Sequence, residues 1–124
     1  MNPRTHTYFL SDFHLGIPNR EASLKREKLV VAFLEEIAPQ AKAIYLMGDV
    51  FDFWFEYRAV VPRNFTRFLG TLAKLTDSGI PIHFFKGNHD MWTFGYLQEE
   101  LGLQVHDDTL EVEIAGKTFF LAHG

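Results

Sequence analysis

Hydrophobic and polar positions follow two different periods along this chain. Thr7-Tyr8-Phe9-Leu10 is a short β-prone run ending at Ser11-Asp12, and it predicts a buried strand. A polar stretch follows in which Asn19 or Ser23 can cap a helix. Within that helix Val30, Phe33, Leu34 and Ile37 recur at i, i+3, i+4 and i+7, an amphipathic stripe that Pro39 stops. Ala43 to Met47 is a second apolar strand, ending at Gly48-Asp49. Asn64 is expected to cap a second helix whose apolar face carries Phe65, Phe68, Leu69, Leu72 and Ala73. That helix closes at Ser78-Gly79, where glycine suits the left-handed residue after a helix end. Pro81 to Phe85 is a third strand, ending at Gly87-Asn88-His89-Asp90, and Tyr96 to Leu101 predicts a short helix before Gly102.

The period then changes to two. Leu110, Val112 and Ile114 alternate with Glu111 and Glu113, and Ala115-Gly116 turns into Lys117 to Ala122, a hairpin with one wet face. The order β-α-β-α-β followed by antiparallel strands predicts an α/β layered domain whose first three strands are parallel. There are no repeats, linkers or low-complexity stretches, so residues 1–124 are expected to belong to a single domain.

Composition narrows the function. At 124 residues and 47% hydrophobic content the chain can fill one core. The net charge is −4 and the twelve Lys and Arg are scattered, which excludes a general nucleic-acid binder with its basic stripe. A local basic group remains at Arg58, Arg63 and Arg67. The absence of cysteine excludes disulfides and thiolate metal sites, so any metal must be held by oxygen and imidazole nitrogen. Met1 to Leu10 lacks the pattern of a signal peptide, and no apolar run approaches the roughly 20 residues that span a bilayer. A cytoplasmic protein is expected. Five aromatic residues crowd into positions 51 to 57, as Phe51, Phe53, Trp54, Phe55 and Tyr57.

The candidate chemistry lies just past the carboxyl ends of the three predicted parallel strands, the edge where open α/β sheets bind ligands. Asp12-Phe13-His14 places a carboxylate and an imidazole two residues apart, on one side of an extended segment. Gly48-Asp49-Val50-Phe51-Asp52 supplies two more carboxylates. In Gly87-Asn88-His89-Asp90, glycine permits the sharp turn that brings Asn88 and His89 to one point. Each motif alone is compatible with ordinary turn chemistry; in this order, each at a strand end, they form a metal-binding constellation. Carboxylate, imidazole and amide oxygen suit Mn²⁺, Fe²⁺ or Zn²⁺. Two such ions roughly 3.5–4 Å apart clamp a phosphoryl group and generate hydroxide, and Asp49, with two oxygens, is the natural bridge. Three other histidines stand apart. His83 lies among Ile82, Phe84 and Phe85 as a sheet-face residue, His6 is expected in solvent, and His106 beside Asp107 and Asp108 is expected in a solvated turn rather than a metal site.

These motifs resemble the calcineurin-like metallophosphoesterase superfamily, whose pattern is Asp-x-His, Gly-Asp-x-x-Asp, Gly-Asn-His-Asp/Glu, a later His and Gly-His-x-His. The resemblance extends over nearly the whole chain, with His123 after Phe119 to Ala122 in the fourth position. It implies a four-layer α/β/β/α sandwich, of which this chain is the N-terminal portion. It also implies that Asp12 and His14 hold one divalent ion, expected to be Mn²⁺ with Fe²⁺ or Zn²⁺ as alternatives. Asp49 would bridge, Asn88 and His123 would hold the second ion, and His89 would be the catalytic histidine oriented by Asp52. Within the superfamily, Phe9 to Gly16 and Gly48 to Trp54 look like the branch of UDP-2,3-diacylglucosamine pyrophosphatases. Members cleave that lipid-linked nucleotide sugar to UMP and 2,3-diacylglucosamine 1-phosphate during lipid A synthesis. The best-known members carry Gly-Asn-Arg-Asp where this chain has His89, and paralogues retain His.

The aromatic cluster then has two readings, a groove for acyl chains lined by Phe53, Trp54 and Phe55, or packing against the remainder of the domain. Arg58 is a candidate contact for a phosphate, and the aromatic-basic segment for peripheral attachment to the inner membrane. The Gly-His-x-His pair is absent and the sequence ends at His123-Gly124, so the C-terminal part of the domain is expected to lie beyond it and the fragment alone to turn over poorly. Two alternatives stay open: a phosphodiesterase or phosphomonoesterase on a soluble substrate, and a non-catalytic scaffold of the same fold. The sequence does not fix the oligomeric state.

Overall fold

The computed structural model describes residues 5–11, 13–17, 19–51, 65–86, 96–106, 110–114 and 116–121. Its elements run β1 (His6–Leu10), α1 (Arg20–Ile37), β2 (Ala41–Leu46), α2 (Thr66–Asp77), β3 (Ile82–Phe85), α3 (Tyr96–Leu101), β4 (Gln104–His106), β5 (Leu110–Ile114) and β6 (Lys117–Leu121). Strands β1 to β4 form one sheet in sequence order, every neighbouring pair parallel. Strands β5 and β6 pair antiparallel as the expected hairpin. The three parallel strands predicted from the pattern are present, and β4 is a fourth, but β1, expected to be buried, is an edge strand without a buried residue and with Phe9 42% exposed.

The strand period of two divides the sheet's residues between two cores. Ile44, Leu46, Ile82 and Phe84, with Tyr8 and Leu10 at the margin, meet Val30, Leu34 and Ile37 of α1 and Phe68, Leu69, Leu72 and Leu75 of α2. The alternate positions Tyr45 and Phe85 face the hairpin, where Leu121 is buried with them and Leu110, Val112 and Ile114 pack alongside. Glu111 and Glu113 are exposed, as a hairpin with one wet face requires.

Helix α1 begins where Asn19 predicts, because the Asn19 side-chain oxygen accepts from Ala22 N at 2.8 Å. Its stripe is shifted from the expected one. Phe33 is 41% exposed with its ring against Tyr8 at the edge of the sheet, whereas Glu27 is fully buried. The reason lies at the start of α2. Phe65 occupies the cap position without a side-chain cap bond, and Glu27 Oε2 instead accepts from Phe68 N at 2.8 Å. A carboxylate from α1 thus satisfies an orphan amide at the positive end of the α2 dipole. Asn64, the expected cap, lies outside the described residues. Gly79 has φ +95° and closes α2 as predicted.

A row of rings crosses the hairpin face of the sheet. Phe9 stacks on Tyr45 with centroids 5.1 Å apart, and Tyr45 on His83 at 4.4 Å. His83 Nδ1 then lies 3.0 Å from His106 Nε2. The expectation of a solvated turn at His106 is therefore corrected, since it ends β4 and is half-buried. The two imidazoles are tilted by only 14° with centroids 5.3 Å apart, a separation that places both nitrogens on the line between the rings. The contact is an edge-to-edge hydrogen bond in which one nitrogen donates and the other accepts, so a second proton breaks it.

Burial, and then the neighbouring His106, hold the His83 imidazole below its ordinary 6.5. The unfolded chain therefore binds the proton more readily, and stability is lost as pH falls below that ordinary value. The thermal midpoint, followed by circular dichroism from pH 8 to pH 5, should be level above pH 7.5 and decline below about 6.5; His83→Phe should flatten that decline. Separately, Glu27→Ala should lower unfolding free energy in urea by about 1–3 kcal/mol, and Glu27→Gln, which keeps an acceptor for Phe68 N, by less.

Candidate metal centre

The ladder between β1 and β2 does not simply end at their carboxyl termini. Met47 N donates to Leu10 O at 2.7 Å, and the two chains then leave the pleat together. They rejoin four residues after Leu10 and two after Met47, where His14 N donates to Asp49 O and Leu15 N to Val50 O, both at 3.0 Å. Leu15 and Phe51 complete the rejoined parallel bridge, and both are fully buried. Two strand-end turns are thereby fastened to each other at their far sides.

Within the detour the backbone is unusual in a specific way. His14 has φ +47° and Asp49 φ +51°, and among the described residues these are the non-glycine positions with positive φ. Gly48, at φ +100°, precedes Asp49 and lets the chain reverse sharply at the strand end. Left-handed backbone is uncommon outside glycine; asparagine, aspartate and histidine adopt it more often than other residues, and the surrounding structure holds it in place. Here both left-handed residues carry donor side chains. The spacing of Asp-x-His and Gly-Asp in the sequence pointed to these two positions, and the structure brings them side by side.

Their environments differ. Asp49 is only 7% exposed, whereas His14 is half-buried. A carboxylate oxygen and an imidazole nitrogen on adjacent turns, in a chain without thiols, fit a divalent ion of the Mn²⁺, Fe²⁺ or Zn²⁺ type. Among the described residues no cluster of three ligating side chains forms. Asp12, Asp52, Asn88, His89 and His123 lie outside the described residues, as do Phe53, Trp54, Phe55 and Arg58. Phe51, the first member of the aromatic cluster, is a core residue, 5.0 Å from Phe65 and 5.8 Å from Phe68 between ring centroids. Arg67 is exposed on α2.

Sequence reasoning offered Ser23 only as an alternative helix cap and did not single out Arg26, yet these two side chains hold the His14 turn from behind. Arg26 Nη1 donates to His14 O and Ile17 O, and Ser23 Oγ accepts from Gly16 N. Their signal in the sequence is faint, since a polar residue on an amphipathic helix ordinarily marks its wet face. A cavity of about 210 Å³ lined by Thr7, Lys42, Tyr45, Pro81, His83 and Glu113 sits at the amino ends of the strands, away from this centre. No helix among the described residues is long and apolar enough to cross a membrane.

Paired strand-end turns of this kind, on a parallel sheet backed by helices on one face and a hairpin on the other, agree with the sequence family. The chain belongs to the calcineurin-like phosphoesterase family, whose profile matches residues 5–124. Among curated relatives it is 55% identical over 121 residues to a UDP-2,3-diacylglucosamine hydrolase of Porphyromonas gingivalis, covering 98% of this chain and 46% of that protein. It is 31% identical over 118 residues to the protein of the same name from Nitrosococcus oceani, covering 95% of this chain and 45% of that one. The chain spans about half the length of these relatives. A solved structure of a protein of unknown function from Aquifex aeolicus superposes with a TM-score of 0.62 at 20% identity, over 95% of this chain and 60% of that one, and so shares the fold.

Asparagine tolerates left-handed backbone and has the shape of aspartate, so Asp49→Asn should leave the fold intact in the presence of a chelator while metal uptake, measured by plasma emission, falls. Asp49→Val should add a backbone penalty of about 1–2 kcal/mol, visible as a lower unfolding midpoint.

Proposed function

We propose that this chain supplies the N-terminal part of a dinuclear metal-dependent hydrolase that splits UDP-2,3-diacylglucosamine into UMP and 2,3-diacylglucosamine 1-phosphate in lipid A biosynthesis. The observation that carries the reading is the pair of fastened left-handed turns presenting His14 and Asp49 at the carboxyl edge of the sheet. The names of relatives 55% and 31% identical to the chain support the substrate.

In this reading Asp12 and His14 hold one divalent ion, expected to be Mn²⁺, and Asn88 and His123 hold the other, with Asp49 between them. The bound ions supply Lewis-acid polarisation of the phosphoryl oxygens and a nucleophilic water at neutral pH. His89 donates a proton to the oxygen that leaves as the phosphorus–oxygen bond of the pyrophosphate breaks, and Asp52 accepts the other imidazole N–H, fixing its tautomer. Water's oxygen ends on phosphorus, so each product carries a phosphate. Burial of Asp49 keeps bulk water from one side of its carboxylate and strengthens its attraction for cations. Phe53, Trp54 and Phe55 offer apolar surface to the acyl chains, Arg58 a contact for phosphate, and the same segment a peripheral foothold on the membrane.

His89, in a position where the best-known members of the branch carry Arg, favours a second reading, hydrolysis of a soluble phosphate ester. One experiment separates the two. The whole protein as its gene encodes it is assayed for UMP release from UDP-2,3-diacylglucosamine with Mn²⁺. Turnover should vanish on chelation and fall about 10²-fold or more in Asp49→Ala, the scale of losing one charge-stabilising group at a reacting centre. Trp54→Gln with Phe55→Gln should abolish lipid turnover yet spare an aryl phosphate ester. Hydrolysis of soluble esters alone, by the unaltered protein, supports the second reading and sinks the first.

A further inference from the structure

Helix α1 touches the His14 turn at three backbone groups through two side chains. Arg26 Nη1 carries two hydrogens and gives one to His14 O, at 3.1 Å, and one to Ile17 O, at 3.0 Å. Ser23 Oγ accepts from Gly16 N at 2.7 Å. Positions 23 and 26 are one helical turn apart and therefore share a face. That face is anchored independently, because Ser23 and Glu27 are buried and Glu27 is tied to Phe68 N of α2. A residue in left-handed backbone points its carbonyl away from the direction an extended strand would give it, so the carbonyl leaves the ladder and needs a donor elsewhere.

We propose that Arg26, assisted by Ser23, is a positioning residue that locks His14 in its left-handed conformation and so sets the direction of its imidazole toward the metal. The inference rests on the reading of His14 as a metal ligand. Arg26 touches neither metal nor substrate; it acts through the His14 and Ile17 carbonyls. Nη1 spans two carbonyls three residues apart, which fixes the chord of the turn, and Ser23 fixes its apex at Gly16. Partners of this kind behind metal ligands typically change affinity by 10–100-fold when lost.

Two roles of Arg26 predict opposite signs. If its positive charge mattered through space, removing it would tighten binding of a cation. If the clamp matters, removing it weakens binding although a charge unfavourable to the cation has gone. The test is Mn²⁺ titration by calorimetry on the whole protein and on Arg26→Gln, Arg26→Lys and Ser23→Ala, together with amide exchange at Leu15 and Gly16. We expect Arg26→Gln to weaken Mn²⁺ binding by roughly tenfold or more, with faster exchange at both amides and little change in far-ultraviolet dichroism. Arg26→Lys, which keeps the charge and can reach one carbonyl at a time, should fall between. A role confined to general stability would lower the unfolding midpoint and leave the affinity of the folded protein unmoved. Unchanged or tighter binding in Arg26→Gln, with the unaltered protein binding Mn²⁺, overturns the clamp alone. Failure of the unaltered protein to bind Mn²⁺ overturns the functional reading and the clamp with it.

Discussion

The candidate centre depends on β1 and β2 parting and meeting again. Parallel strands can deliver donor groups beyond their carboxyl ends only if the backbone there keeps its hydrogen bonds. The bonds from His14 N to Asp49 O and from Leu15 N to Val50 O meet that need. Burial of Leu15 and Phe51 then anchors the rejoined segment in the helix-side core. The positive φ angles fall at the closing pair itself, His14 and Asp49, where the two chains rejoin. An uninterrupted ladder would have continued the strict alternation of faces, with its amides and carbonyls bound in plane.

The polar side chains of α1 extend this logic. Asn19 starts the helix, Ser23 and Arg26 reach back to the 14–17 turn, and Glu27 reaches across to α2. Each bonds backbone rather than another side chain, so the helix fixes the path of two neighbouring segments more than it fixes their chemistry. Glu27 does so from a fully buried position, and among the described residues its Oε1 has no hydrogen-bond partner. Burying a carboxylate is costly, and here the positive end of α2 compensates part of that cost.

Periodicity carried most of the fold. The apolar runs at 7–10, 43–47 and 81–85 announced three parallel strands, and the alternation at 110–114 announced the hairpin, because each signal depends on local spacing alone. Strand β4 was missed for the same reason: Gln104-Val105-His106 has one apolar residue, and it becomes a strand only because β3 offers an open edge. His83 was placed correctly on a sheet face, but its bond to His106 joins residues 23 apart and has no local trace. Phe33, expected in the apolar stripe, is 41% exposed, and the burial of Glu27 follows a bond to Phe68 N 41 residues away that has no local trace. At the centre, the positions of His14 and Asp49 were legible from motif spacing. Their backbone handedness was not, since it is imposed by the rejoining of two segments far apart in sequence. Asp12, Asp52, Asn88, His89 and His123 lie outside the described residues, and the roles proposed for them rest on resemblance alone.

Sheet order has a consequence for how the protein is made. Every strand of the parallel sheet pairs with the one synthesised just before it, so no gap must be held open for a later arrival. The sheet can grow from its amino end one unit at a time, in the manner of domains that fold as they leave the ribosome. The closure between His14 and Asp49 uses hydrogen bonds among residues up to 51, together with the packing of Phe51 against Phe65, Phe68 and Phe84. Its two turns can thus be set while the histidines at positions 89 and 123 are still to be translated. The candidate centre is laid down from the paired turns of His14 and Asp49 outward.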